Sequence, residues 1–142
     1  MNVSIASDHA GFALKQVCIG FLESAGYNVK DFGPYSDESV DYPDFAHQVA
    51  SHVARDSSVV GVLICGSANG VAMTANKYAD VRACLSWRNE IAELGRSHNN
   101  ANILCLPARF ITDEEAYRCL EVFLSTPFEG GRHERRVSKI KC

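Results

Sequence analysis

Val59-Val60-Gly61-Val62-Leu63-Ile64-Cys65 carries no charged or amide side chain and runs straight into Gly66-Ser67-Ala68-Asn69-Gly70. A run that is apolar throughout, rather than alternating, predicts a central parallel strand covered on both faces. The flanking sequence repeats the plan. Upstream, Val3–Ala6 reads as a short strand that stops at Ser7-Asp8-His9, and Leu14, Val17, Cys18, Phe21, Leu22 and Ala25 then recur at helical spacing. Gly26 closes that helix, Tyr27–Phe32 reads as a second strand, and a loop of Gly, Pro, Ser and Asp runs from Gly33 to Pro43. Asp44 is placed to cap a second helix with a buried stripe of Phe45, Ala46, Val49, Ala50 and Val53. Downstream, a short helix reaches Lys77, and strands at Arg82–Leu85 and Ile103–Leu106 flank a helix from about Asn89 to Ser97. Thr112-Asp113-Glu114-Glu115 opens a last helix through Ala116, Cys119, Leu120, Phe123 and Leu124.

Five strands alternating with helices specify an α/β, three-layer sandwich around a mostly parallel, doubly wound, Rossmann-like five-stranded sheet. At 142 residues the chain reads as one domain, 1–142. It is 46% apolar and 22% charged with 4 Pro and 10 Gly, a composition that excludes disorder and collagen-like structure. No apolar run is long enough to span a membrane, and the opening MNVSIASDHAG has no basic leader, so a cytoplasmic protein is expected. The 6 cysteines are widely spaced without a C-x-x-C pair, which fits a reducing compartment. Cys18, Cys84, Cys105 and Cys119 lie in apolar patterns and read as small buried hydrophobes. The net charge of −3 hides a basic stretch from Arg132 to Cys142. A cationic tail on an acidic body suits a small anionic ligand better than a nucleic-acid track.

Ligands of such sheets bind beyond the carboxyl ends of the strands, which points to Ser7-Asp8-His9, Cys65–Gly70, Ser86-Trp87-Arg88 and Pro107-Ala108-Arg109. The small residues of Gly66-Ser67-Ala68-Asn69-Gly70 let backbone N–H groups face an anion. No lysine completes a nucleotide P-loop before Lys77, and the G-x-G-x-x-G spacing is absent. A cysteine phosphatase loop would need arginine where Val71 stands. What remains is a thiol beside backbone amides, suited to removing a carbon-bound proton and stabilising the oxyanion; a helix N-terminus is expected to lower its pKa. Cys65 alone reads more readily as an inert buried strand residue, and the Gly-Ser-Ala-Asn-Gly loop after it reverses that preference. His9 after the first strand and His98 before the last are candidate proton carriers, with Asp8 and Asn99 adjoining to orient them. His47 and His52 read as solvated face residues of the second helix. Neither paired His nor paired Cys spacing supports a metal site. Arg109, Arg132 and Arg136 complete an anion clamp, the last two one helical turn apart.

Ser7-Asp8-His9-Ala10-Gly11-Phe12, Asp41-Tyr42-Pro43, Cys65-Gly66-Ser67, Ala75-Asn76-Lys77, Ser97-His98-Asn99 and Gly130-Gly131-Arg132-His133, with Arg136-Val137, stand in this order along almost the whole chain. This joint pattern resembles the type-B ribose-5-phosphate isomerases, a family that includes the galactose-6-phosphate isomerase subunits. The resemblance implies interconversion of ribose 5-phosphate and ribulose 5-phosphate in the pentose phosphate pathway, without metal or cofactor, by a homodimer with shared active sites. It implies that Cys65 moves a proton between C2 and C1 through an enediolate, with the amides of Gly66, Ser67, Ala68, Asn69 and Gly70 holding the oxygen and Ser67 assisting. It further implies that His98 opens the furanose ring and that Asn99 and Asp8 contact sugar hydroxyls. His9, Arg109, Arg132 and Arg136 would bind the phosphate, and Asp41 and Tyr42 would lie at the edge of the site.

Ser67 and Ala68 stand where many relatives have threonine and glycine. Val71 stands where one branch places a glutamate base, which strengthens Cys65. A tetramer is compatible with the resemblance, although the chain ends soon after Arg136, short of the C-terminal segment of many relatives. A six-carbon aldose 6-phosphate, galactose or allose 6-phosphate, is the alternative substrate. A non-catalytic sugar-phosphate or RNA-binding module is a further alternative, but no aromatic-rich basic motif supports RNA recognition, and neither nucleic acid nor membrane is an expected partner.

Overall fold

Val59–Cys65 forms the middle strand, β3, of a five-stranded sheet in the computed structural model, which describes residues 1–141. Cys142, one of the six cysteines, lies outside the described residues. The other strands are β1 (Asn2–Ser7), β2 (Asn28–Asp31), β4 (Ala83–Leu85) and β5 (Ile103–Pro107), in the order β2-β1-β3-β5-β4. Every pairing is parallel. The chain winds one way from β1 to β2 and the other way from β3 onward, so the topological switch point lies between the carboxyl ends of β1 and β3.

The apolar stripes explain the layers. Helices α1 (Phe12–Ser24), α4 (Asn89–Ser97) and α5 (Asp113–Ser125) cover one face, where Leu14, Cys18, Leu22, Ala92, Leu120 and Phe123 pack on Val3, Ile5, Val62, Ile64, Leu104 and Leu106. Helices α2 (Tyr42–Arg55) and α3 (Asn69–Ala75) cover the other, packing Ala46, Val49, Val53, Val71 and Ala75 on Ala6, Leu63, Cys65, Ile103 and Cys105. The expected three-layer α/β sandwich is observed, with a wholly parallel sheet. Thr112 and Glu115 form the reciprocal capping box at the start of α5.

Three local features differ from the sequence reading. Helix α2 begins at Tyr42, with Asp41 rather than Asp44 at its N-cap and Pro43 in its first turn. Proline suits that position, where its missing N–H has no intrahelical acceptor to lose. A sixth helix, α6 (Arg132–Val137), comes after α5. His52 is half-buried rather than solvated: its Nδ1 lies 2.6 Å from the hydroxyl of the fully buried Ser4, giving that hydroxyl its partner. Among the described residues no helix is long and apolar enough to cross a membrane.

Candidate active site

Three chain segments that leave parallel strands converge at the switch point. Asp8, His9 and Ala10 after β1, Cys65, Gly66, Ser67 and Gly70 at the end of β3 and beyond it, and Arg109 after β5, joined by Tyr42, line a cleft of about 410 Å³. Ser86-Trp87-Arg88 stays out of it. Trp87 instead lines an adjoining apolar hollow with Leu85, Pro107, Phe110, Ser67 and Asn69.

The cleft is closely built. Asp8 is 8% exposed; its Oδ1 accepts from the Gly11 amide at 3.0 Å, and its own N–H donates to the Ile64 carbonyl at 3.1 Å. Gly11 is required because a Cβ there would sit 2.6 Å from the Ile64 carbonyl oxygen. Gly70 lies so near Tyr42 that a Cβ would stand 2.5 Å from its ring. The Arg109 N–H donates to the Gly66 carbonyl at 3.1 Å, anchoring the arginine beside the loop with its side chain exposed. The Val40 amide donates to His9 Nδ1 at 3.4 Å, which leaves the ring proton on Nε2. The loop that presents Val40 starts from a buried anchor. Lys15 Nζ donates to both Asp31 carboxylate oxygens and to the Pro34 carbonyl, each at 2.7 Å.

Cys65 is 4% exposed at the floor of the cleft. Burial pushes its thiol above the ordinary value, and the Asp8 carboxylate adds to this; amides of Val71, Ala68 and Ser67 hydrogen-bond toward the sulfur and pull the other way. The lowered pKa expected at a helix N-terminus is thus not found in this chain, because desolvation outweighs the amides. Ala68 bends the loop with φ +63, a left-handed conformation that glycine adopts more readily than alanine. Ser67 Oγ accepts from the side-chain amide of Asn69 at 3.2 Å, and both residues face outward. Asp41, at the α2 N-cap, is exposed next to Tyr42 and does not line the cleft.

His98, Asn99, Arg132 and Arg136 lie elsewhere, which corrects the placement of His98 beside the other sheet-top residues. Helix α4 runs against the strands, so His98, just past its end, lies near the amino end of β5. Ile103 pairs with Gly61, four residues below Cys65, a drop of about 13 Å at the usual rise per strand residue. At this amino pole the Glu129 amide donates to the Ser97 carbonyl at 3.0 Å, bringing α6 with it. The His98 and His133 rings stack at 4.0 Å and 10°, and Arg132 and Arg136 are exposed on α6.

His133 and Glu129 had no role in the sequence reading; Glu129 lies in the loop before α6, which brings its carboxylate to the His133 ring at 3.5 Å. Donor atoms of His98, Glu129 and His133 lie within 4.8 Å of one another, a set that could hold a metal ion. The two rings are nearly parallel, however, so their lone pairs run side by side, and a shared ion would require the rings to rotate.

The ribose/galactose isomerase family model matches residues 3–140. A probable ribose-5-phosphate isomerase B of Mycoplasma genitalium is 48% identical over 98% of this chain and 93% of its own length. The Escherichia coli ribose-5-phosphate isomerase B is 38% identical over 98% and 93%. A Thermotoga maritima ribose 5-phosphate isomerase structure superposes with a TM-score of 0.96 at 48% identity, covering 99% of this chain and 97% of that one. The M. genitalium enzyme with bound ribulose 5-phosphate gives 0.94 at 48% identity, over 98% and 93%.

Proposed function

The chain belongs to the ribose/galactose isomerase family, and we infer that it interconverts ribose 5-phosphate and ribulose 5-phosphate with Cys65 as the base. It is an aldose–ketose isomerase. Residues 1–142 act as one sugar-phosphate isomerase domain. The observation that carries the assignment of the base is the buried Cys65 thiol at the floor of a cleft that Gly66, Ser67 and Gly70 of the following loop also line.

Cys65, as thiolate, takes the proton from C2 of the open-chain aldose and returns it to C1. The charge passes to the carbonyl oxygen O1, where the N–H groups of the Gly66–Gly70 loop receive it with Ser67 assisting; the C2 hydroxyl proton then moves to O1, so that reprotonation at C1 leaves the carbonyl at C2. Asp8 fixes a sugar hydroxyl, His9 donates from Nε2 to the phosphate, and Arg109 binds the same phosphate. Tyr42 and Asp41 border the entrance. No step calls for a metal or cofactor.

A second copy of this chain supplies His98 and Asn99 for ring opening and for the sugar hydroxyls, and Arg132 and Arg136 for the phosphate, so the active sites of a homodimer are shared. Two observations support this. The four residues lie at the opposite end of the sheet from Cys65, and Trp87 and Phe110, 48% and 72% exposed, border an apolar hollow beside the cleft. The five described cysteines are free thiols, which suits the cytoplasm as the proposed location.

Incubating ribulose 5-phosphate with the enzyme in deuterated water should label C1, and Cys65→Ala should lower both labelling and turnover by roughly 10²–10⁴-fold. Full turnover by that variant would remove Cys65 from the mechanism.

A further inference from the structure

The amino-pole cluster contains one carboxylate facing two imidazoles, and it lies entirely within one chain. Glu129 Oε2 stands 3.8 Å from His98 Nε2 and 3.5 Å from His133 Nε2, while the two rings stack on each other. The arrangement is anchored at the backbone on both sides. The Glu129 amide is bonded to the residue preceding His98, and the His133 amide donates to the Gly130 carbonyl at 3.0 Å.

We propose that Glu129 is the positioning residue of His98: its carboxylate, 3.8 Å from the ring nitrogen, orients the imidazole that delivers the ring-opening proton. The proposal rests on the reading of His98 as the ring opener.

Two imidazoles stacked at 4.0 Å repel each other if both are cationic, so a charge on one disfavours a charge on the other. His133 is the poorer place for it. Its side chain is only 8% exposed, and burial lowers its pKa, as do His98, Arg132 and Arg136; Glu129 alone opposes them. His98 is 36% exposed in its side chain and faces the same carboxylate from the loop before α6. His98 is thus the ring that both solvent and a substrate can reach. Ring opening breaks the bond between C1 and the ring oxygen. The ring oxygen takes the His98 proton, the C1 hydroxyl releases its own to water, and His98 is reprotonated from solvent.

The test separates ring opening from enolisation. Ribulose 5-phosphate has its 5-hydroxyl esterified and stays open-chain, so exchange of its C1 hydrogen with deuterated water needs the Cys65 cleft but no ring step. Glu129 is 57% exposed in its side chain, and Glu129→Gln leaves the backbone anchor intact. This variant should isomerise ribose 5-phosphate roughly 10-fold or more slowly while exchanging ribulose 5-phosphate within about 2-fold of the parent. The alkaline limb of its ribose 5-phosphate profile should move to lower pH, because removing an anion weakens the hold of His98 on its proton. Parallel loss of isomerisation and exchange, or an unmoved alkaline limb, would overturn the proposal. His98→Asn is the control. If it retains full isomerisation, the reading of His98 itself fails; if it loses isomerisation alone while Glu129→Gln behaves like the parent, only the role of Glu129 fails.

Discussion

The two ends of the sheet are built on different terms. At the carboxyl end, backbone segments approach until only glycine fits: a Cβ on Gly11 or Gly70 would lie 2.6 Å from a carbonyl oxygen or 2.5 Å from a ring. At the amino end, Gly130 and Gly131 have open space around them and are glycines for their φ of +67 and +55. The first end encloses a nearly buried thiol; the second displays arginines and a half-exposed histidine. Proton transfer from carbon calls for a dry, rigid floor. In the proposed homodimer, capture of the anion by a second subunit would call for charges that reach outward.

The largest effect that bears on this contrast is expected at the amino end. Arg132→Ala with Arg136→Ala should raise KM for the sugar phosphate by about 10–100-fold, as loss of charged hydrogen bonds does. Inorganic phosphate should compete correspondingly less well. An unchanged KM in steady-state assays would break the assignment of α6 to the phosphate.

Stability should show the reverse emphasis. Gly11→Ala should cost about 1–3 kcal/mol in denaturant titration, since the Ile64 carbonyl must shift. Gly130→Ala should cost about 1 kcal/mol, the strain of a left-handed alanine in open space. Equal costs would mean that the two ends are not built differently.

A smaller effect concerns pH. His133 has a lowered pKa in the fold, so the unfolded chain binds its proton more readily, and the stability from this group is present above the ordinary histidine range and lost as pH falls. Cys65 is raised, so its contribution is present below the ordinary thiol range and lost as pH rises through the folded value. Hydrogen exchange should therefore show α6 opening first on mild acidification and the Cys65 loop first on alkalinisation. The opposite order would contradict the assigned causes.

Much of this was legible in the sequence because strong local signals agreed with the global fold. The span of β3 and that of α4 match the expected Val59–Cys65 and Asn89–Ser97, and the Thr112 box caps α5. The first turn of α2 escaped because Tyr42 and Asp44 are exposed and the apolar stripe only begins at Phe45. His52 was misread because a polar side chain on an amphipathic helix can serve a buried hydroxyl such as Ser4. The cleft residues Asp8, His9, Cys65, Ser67 and Arg109 were legible because each sits at or just beyond the carboxyl end of an apolar strand. His98 was misplaced because it precedes a strand, and a helix returning along a parallel sheet delivers its end to the amino pole. The Glu129–His133 pair was visible as an i,i+4 spacing but lay outside every strand end.

Mixing two inactive variants asks whether one copy's thiol works with the other copy's histidine and arginines. Cys65→Ala and His98→Asn subunits, unfolded and refolded together, should recover about one quarter of parental ribose 5-phosphate isomerisation, since half of the dimers carry one intact site of two. Recovery no greater than the sum of the two variants alone would place Cys65 and His98 of a single chain in the same site and overturn the shared arrangement.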